Sequence, residues 1–234
     1  MPYDALCHRR IGHILLSCSC LLLARAPPCQ AVSVDGRAVG PSGGFRGRWI
    51  DLEPLGLGHA ADFAAATAED PSLYAFSSAP VGEDAAARYI EAALSDANAC
   101  AYAIVRRADR RVVGSTRLFG LEYWADDYES PDACQVGYSW LSASARRTPI
   151  NTEAKRVLLA HAFEVWSVRR VSICADVRND MSRRAIERLG FQLDGVLRAE
   201  RLGHDGTVRD TAWYSMLATE WPAARAAIDA KLLT

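Results

Sequence analysis

The sequence predicts an α/β fold with a mixed, mostly antiparallel central sheet of about seven strands and helices on both faces. Three observations predict it. Half of the 234 residues are hydrophobic and 24% are charged, which is a globular composition. From about Arg48 onward, runs that alternate apolar and polar positions are interspersed with stretches of helical periodicity. Turn-forming residues separate these runs.

The first half of the predicted domain contains one strand, two helices and then three strands. The second helix shows its amphipathic face most clearly, because Ala86, Tyr89, Ile90 and Ala93 recur at helical spacing. A short polar turn at 108–110 predicts a hairpin, and the acidic, aromatic stretch 124–131 predicts a loop. The predicted elements are a strand at 49–55, helices at 59–68 and 83–96, and strands at 100–106, 111–122 and 134–141.

The second half alternates helices and strands. A helix at 152–166 carries six residues at helical spacing, namely Ala154, Val157, Leu158, His161, Ala162 and Val165. The next helix is predicted to be capped by Asn179 and stopped by Gly190. The predicted elements are helices at 152–166, 180–189 and 220–232, and strands at 168–177, 191–202 and 208–217, the last two joined by a turn at 204–206.

Charge and cysteine content limit the functional classes. The 27 Lys and Arg residues nearly balance 28 Asp and Glu residues, which argues against a bulk nucleic-acid or acidic-membrane binder. A phosphate-bearing ligand would therefore need a local site. No cysteine pair has C-x-x-C spacing, and their number is odd, so we expect reduced thiols. The seven are Cys7, Cys18, Cys20, Cys29, Cys100, Cys134 and Cys174.

Several stretches together resemble the GNAT acetyltransferases, most closely the RimJ/RimL-like branch. They lie in this order from the central predicted strand to the last one, and the order and spacing carry the resemblance more than any single stretch. The stretches are Gly137–Leu141, Arg147–Lys155, Asn179–Arg183, Leu189–Phe191, Gly195–Arg198, Arg209–Thr211 and Tyr214–Ser215.

The resemblance implies an N-acetyltransferase that uses acetyl-CoA as co-substrate and no metal. The acceptor would be a protein N-terminal amine or a small amine, which attacks the thioester directly in a ternary complex. The acidic, aromatic stretch 122–129 could line the acceptor pocket and would favour a cation. No nucleic-acid or membrane partner is implied, and a homodimer is left open. The alternative is a catalytically silent GNAT-fold module that binds CoA, a metabolite or a protein partner.

The N-terminal segment reads differently from this domain. His8–Arg10 precedes an apolar run at 14–24 that fits the central region of a secretory signal, although the residues after it form a poor cleavage site. Because the rest resembles a cytoplasmic enzyme, we interpret residues 1–46 as an extension and linker, with 34–47 as a flexible linker. The acetyltransferase domain is expected at 47–234.

The resemblance assigns coenzyme binding to the start of the helix after the central strand, since a helix N-terminus offers unpaired N–H groups to a pyrophosphate. Pro149 stands where the family has a glycine, and proline lacks one N–H donor. Either Thr148 caps the helix with Pro149 next, and binding is retained, or the affinity is weakened. The expected binding residues are Trp140, Leu141, Arg146, Arg147, Thr148, Ile150, Asn151, Thr152 and Asn179.

The implied chemistry needs a proton acceptor for the amine and a proton donor for the thiolate. Glu200 is the expected base and Ser182 the expected acid, while the alternatives are a glutamate paired with Arg198 or Arg201 and a serine that bonds the backbone. The backbone N–H near Trp140–Leu141 would meet the oxyanion. Glu153 is a second candidate base. His161 is expected in the core and His204 in a turn.

Overall fold

The computed structural model describes residues 43–124 and 130–233, and the backbone strands Val32–Val34 (β1) and Arg37–Val39 (β2). These two strands pair with each other in an antiparallel hairpin. The signal-like run at 14–24, the first four cysteines and residues 125–129 of the acidic stretch lie outside the described residues.

The remaining strands form one eight-stranded sheet in the order β3-β4-β5-β6-β7-β8-β10-β9. All neighbours are antiparallel except β7 and β8, which run parallel. This agrees with the predicted mixed, mostly antiparallel sheet. The strands are Phe45–Arg46 (β3), Ile50–Pro54 (β4), Ala99–Arg106 (β5), Val112–Glu122 (β6), Ala133–Leu141 (β7), Arg170–Asp176 (β8), Gln192–Leu202 (β9) and Val208–Leu217 (β10).

Helices cover both faces of the sheet, as the sequence predicts. Helices α1 and α2 pack with the short turn around Tyr74 on one face, and helices α3, α4 and α5 pack on the other. The helices are Ala60–Ala68 (α1), Glu83–Ser95 (α2), Ile150–Ala160 (α3), Asp180–Arg188 (α4) and Trp221–Leu233 (α5). Among the described residues, none of these helices combines the length and apolarity needed to cross a membrane.

The first strand of the sheet lies inside the segment that we expected to be a flexible linker. Phe45 packs edge-on against Tyr102 and His161, with ring centroids 5.3 Å apart in both pairs. Gly44 has φ +73°, and an added Cβ there would lie 2.3 Å from the Leu52 carbonyl oxygen. The linker prediction is therefore wrong for residues 43–46, and the sheet has eight strands rather than seven.

The ends of the second-half helices follow local signals. The Asn179 side chain accepts a hydrogen bond from the Ser182 N–H at 3.0 Å, which confirms the predicted cap of α4. Gly190 adopts φ +98° directly after the helix, the left-handed conformation that glycine allows. Helix α3 begins at Ile150, two residues before the predicted start, and continues as one π-helical turn, His161–Val165.

Candidate active site

A gap opens between the two parallel strands at the centre of the sheet. Strands β7 and β8 pair only over Ala133–Gln135 and Arg170–Ser172. Beyond this point β7 continues along β6, and β8 continues along β10. The second half of each strand therefore has backbone groups on its inner edge that do not pair with the other strand.

A β-bulge in β7 lies beside this gap. Ser115 pairs with Trp140 but Arg117 pairs with Gly137, so β7 contains one extra residue between these positions. Tyr138, in the bulge, has φ +49°, which is unusual for a residue with a Cβ. The extra residue turns the two following side chains to the faces opposite those that regular alternation would give them.

The backbone of Leu141 is the part of β7 that is directed into the gap. The Ser142 N–H donates across to the Val113 carbonyl on β6, so alternation directs the N–H and C=O of Leu141 away from β6. Accordingly, the Leu141 carbonyl accepts a hydrogen bond from the Tyr74 hydroxyl at 3.1 Å rather than from β6. The Trp140 side chain is 3% exposed and packs in the core beneath α1 and α2.

The N-terminus of α3 is next along the chain. Pro149 has helical torsions and its carbonyl accepts the Glu153 N–H at 2.9 Å, while the Thr148 hydroxyl accepts the Ile150 N–H at 3.4 Å. Proline here removes a donor that the helix does not use. The N–H groups of Asn151 and Thr152 follow in the first turn, where helix geometry supplies no internal acceptor.

Arg146 connects this helix start to the start of α4. Its guanidinium donates to the Leu73 carbonyl at 3.1 Å and lies 3.8 Å from the Met181 sulfur, one residue before Ser182. Arg147, by contrast, is exposed and has φ +58°. The structure thus brings Arg146 and the beginning of α4 together, and leaves the Arg147 side chain in solvent.

Ser182 and Glu200 both lie toward the carboxyl end of β8. Ser182 is half-buried in the first turn of α4, and its hydroxyl has no hydrogen bond to the residues that the structure describes. Glu200 follows Ala199, which has φ +51° in an irregular part of β9. Both Glu200 oxygens accept hydrogen bonds from Arg201, at 2.6 and 3.0 Å.

This ion pair affects the basicity of Glu200. Burial alone would raise the pKa of the carboxyl group. Hydrogen bonds from Arg201 and Thr211 and the charges of Arg201 and Arg209 outweigh burial, so the pKa lies below its ordinary value. The carboxylate is therefore ionised at neutral pH, but it is a weaker base than a carboxylate without a cationic partner.

Glu153, the second candidate base, has a structural role. Its carboxylate accepts the backbone N–H groups of Arg48, Trp49 and Ile50 at 2.6, 2.8 and 3.0 Å. The residue is 6% exposed. It therefore joins the start of β4 to the first turn of α3, and its oxygens are occupied by these donors.

The histidines behave as the sequence predicts. His161 is 3% exposed in the core, and burial lowers its pKa to about 4. His204 lies in the turn between β9 and β10. Cys100 and Cys134 are buried and Cys174 is half-buried, and the reduced state expected for the seven cysteines stays a prediction. Across residues 43–124 and 130–233 no three His, Cys, Asp or Glu side chains are grouped as metal ligands would be.

A family model described as an acetyltransferase (GNAT) domain matches residues 50–192, which is more than half of the chain and includes the gap, the bulge and α3. The chain belongs to the GNAT acetyltransferase family. The resemblance expected from the motifs is thereby confirmed, together with the α/β GNAT fold.

Similar proteins agree with this family. The chain is 39% identical over 87 residues to the "Putative ribosomal N-acetyltransferase YdaF" of Bacillus subtilis (strain 168), covering 37% of this chain and 46% of that one. The chain thus spans about half the length of this curated relative. A "putative acetyltransferase" from T. thermophilus is 36% identical with a TM-score of 0.71, covering 81% of this chain and 96% of that one.

A third similarity concerns the fold alone. Mycobacterium smegmatis RimJ in complex with CoA-disulfide is 20% identical, with a TM-score of 0.66 over 78% of this chain and 88% of that one.

Two buried cations of this GNAT domain lie beside the bulge, and the sequence reasoning missed both. Lys155 is 3% exposed and its ammonium donates to the hydroxyls of Thr116, at 3.1 Å, and Ser139. Burial lowers its pKa from 10.5 to about 7. Arg117 is 5% exposed on the opposite face of the sheet. Lys155 precedes buried Leu158 by three residues, so its place on the apolar stripe was the available signal.

Proposed function

We propose that the protein transfers the acetyl group of acetyl-CoA to a primary amine, by direct attack of the amine in a ternary complex. The observation that carries this proposal is the gap between β7 and β8, which leaves backbone groups available at the centre of the sheet, beside the N-terminus of α3. A helix N-terminus suits a pyrophosphate, and an unpaired strand edge suits the amide-containing arm of the coenzyme.

The pyrophosphate would lie against the first turn of α3. The N–H groups of Asn151 and Thr152 would donate to it, the Ile150 N–H would be shared between it and the Thr148 hydroxyl, and Arg146 and Arg147 would add positive charge. Thr148 supports this turn through its bond to the Ile150 N–H. Pro149 removes one donor, but the three N–H groups that follow it are those nearest the positive end of the helix dipole.

The coenzyme arm would then follow the inner edge of β7, with Asn179 on the opposite side of the gap. The N–H of Leu141 would donate to the acetyl carbonyl and to the oxyanion that forms when the amine attacks. The backbone of Trp140 is directed to β6, so Leu141 rather than Trp140 is the residue proposed for this contact.

The proton transfers are assigned to Glu200 and Ser182. Glu200, which is ionised at neutral pH, would take a proton from the ammonium of the acceptor, directly or through water, although Arg201 makes it a weaker base. The neutral amine then attacks the thioester carbon and the C–S bond breaks. The Ser182 hydroxyl would protonate the departing thiolate and take up, directly or through water, the proton that the acetylated nitrogen loses, while Glu200 returns its proton to solvent. The products are an N-acetyl amine and CoA.

Calorimetric titration with acetyl-CoA tests the proposal at its first step, with desulfo-CoA as a second ligand. We expect binding of both, followed by amine-dependent release of free thiol when acetyl-CoA is mixed with an acceptor panel of peptides and small amines. Lack of binding at millimolar acetyl-CoA would overturn the proposal. Binding without thiol release from any amine would favour the catalytically silent module.

A further inference from the structure

Arg117 is a buried cation that has no anionic partner among the residues that the structure describes. Its side chain is 5% exposed, and its Nε is buried with no hydrogen-bond acceptor. The guanidinium carbon lies 4.4 Å from the Tyr89 ring centroid and 4.2 Å from that of Tyr138. Within the described part of the chain, no carboxylate forms an ion pair with it.

Such an arrangement is unfavourable unless something else compensates the charge. An arginine cannot lose its proton in a protein, so burial cannot shift it toward the neutral form as it does Lys155. Two aromatic rings offset part of the lost hydration through cation–π attraction. They cannot accept the N–H bonds of the guanidinium edge, and these remain available to an oxyanion.

The position of Arg117 connects it to the proposed reaction site. It pairs with Gly137, directly before the bulge, and contacts Tyr138 within it. Its side chain lies on the α1–α2 face, because it touches Tyr89 of α2, whereas Lys155 of α3 lies behind the bulge on the other face. An anion at Arg117 would thus lie close to the proposed acetyl group without contacting α3.

The charges around Tyr138 also favour an anion. The Arg201 guanidinium is close enough to Tyr138 to interact electrostatically with it. Arg209 donates to the Thr211 hydroxyl at 2.9 Å and adds a further positive charge near Glu200. Glu200 is the carboxylate of this group, and its two oxygens are already bound to Arg201.

We propose that Arg117 binds a carboxylate of the acceptor, so that the preferred substrates are amines that also carry a carboxylate close to the amine. This inference rests on the proposed acetyltransferase function and narrows its substrate class. It replaces the expectation that the acidic stretch 122–129 favours a cationic acceptor. Within that stretch, the Glu122 carboxylate accepts the Trp124 indole N–H at 3.1 Å.

Matched acceptor pairs that differ in one carboxylate test this inference. One set compares free amino acids with their amides, and the other compares tripeptides with Asp or Asn at the second position, which separates a small-molecule source from a peptide source. We expect kcat/KM about 10- to 100-fold higher for the carboxylate member in at least one set, the range for a hydrogen bond to a charged group.

The Arg117→Met variant should remove this preference, and Arg117→Lys should keep part of it. Arg156→Met is the control for loss of an arginine packed on a ring, because Arg156 lies 5.6 Å from the Trp221 centroid on the opposite face of the sheet. Unlike Arg117, it also pairs with a carboxylate, that of Asp229 at 2.6 Å, so this control removes an ion pair as well. If kcat/KM falls by the same factor for both members of each pair in Arg117→Met, the role of Arg117 is structural and the inference is overturned. Equal rates for both members with the wild-type protein would do the same.

Titration calorimetry of the same pairs into CoA-saturated protein separates this inference from the proposed function. Tighter binding of the carboxylate member that depends on Arg117 supports the anion site even if no acetyl transfer occurs. Acetyl transfer without any effect of the carboxylate on binding or rate leaves the proposed function in place and overturns the anion site.

Discussion

The Lys155 ammonium lies 3.1 Å from the Thr116 hydroxyl and also donates to Ser139, so a helix residue and two strand residues are joined through one buried charge. None of these partners is a carboxylate. Among the described residues its hydrogen-bond partners are hydroxyl groups, whose dipoles do not offset the lost hydration, so burial lowers the pKa of Lys155 to about 7.

Stability should consequently rise with pH above neutrality. Between about pH 7 and 10.5 the unfolded chain binds the Lys155 proton and the folded chain does not, so the free energy of unfolding increases over this window. Denaturant unfolding at several pH values measures it. Lys155→Met should flatten the increase and be neutral or stabilising at pH 7.

Lys231→Met is the control, because Lys231 is exposed on α5. An unchanged pH dependence in Lys155→Met would contradict the assignment of the lowered pKa to Lys155.

Replacing Glu153 should lower the stability of the fold and leave the rate of acetyl transfer unchanged. Glu153→Gln keeps one oxygen acceptor but replaces the other with an amide group that cannot accept the Arg48, Trp49 or Ile50 N–H. We expect a loss of about 1.5–3 kcal/mol in the free energy of unfolding, measured by urea denaturation. Turnover per folded molecule should stay the same. A large fall in kcat at unchanged stability would instead restore Glu153 as a candidate base.

Pro149 can be tested by returning the missing N–H. Pro149→Ala keeps the helical torsions that Pro149 already has and adds one donor at the start of α3. Acetyl-CoA should bind up to about tenfold more tightly by calorimetry, while the stability should fall by about 0.4–1 kcal/mol because the unfolded chain gains freedom.

Pro222→Ala, at an exposed proline in the first turn of α5, is the matched loss of rigidity and should leave acetyl-CoA affinity as it is. If both variants bind acetyl-CoA like the wild type, Pro149 does not face the pyrophosphate.

The proton-transfer roles predict a separation of kcat from coenzyme affinity. Glu200→Gln and Ser182→Ala should each lower kcat about 10²-fold and leave acetyl-CoA affinity unchanged. Because the pKa of Glu200 lies below 4.5, the loss of rate toward acidic pH should follow the acceptor amine and not Glu200. Glu91→Gln, an exposed change on α2, is the control. Full activity of both variants would reject these roles.

The sequence predicts elements whose signals are local. Helix α4 is an example, because the two residues that start and stop it, Asn179 and Gly190, stand next to the helix in the sequence. The alternative in which Glu200 pairs with Arg201 is also local, because the two residues are neighbours in sequence. Strand β3 is not predicted, because two residues are too short to show a periodic pattern. Its position is fixed by the contacts of Phe45 with Tyr102 and His161, which are far away in the sequence.

The site depends on long-range relationships that periodicity does not contain. The bulge at Tyr138 is a mismatch between β6 and β7, so it appears only when the two strands are paired. In the sequence, Arg117 looks like an ordinary polar residue of an alternating strand. It is buried because Tyr89, 28 residues away in the chain, packs over it. The gap itself arises where β8 diverges from β7 while it stays paired with β10 along its whole length.

The close packing of the glycines before β4 limits where a truncated form of this protein can begin. A Cβ at Gly47 would lie 2.5 Å from the Glu153 carboxyl carbon, so the peptide there passes tightly over the carboxylate that joins β4 to α3. A recombinant fragment that starts at Arg48 would replace this peptide with a charged amino terminus and would also lose Phe45 from the core. Expression trials should therefore place the first residue before Gly43.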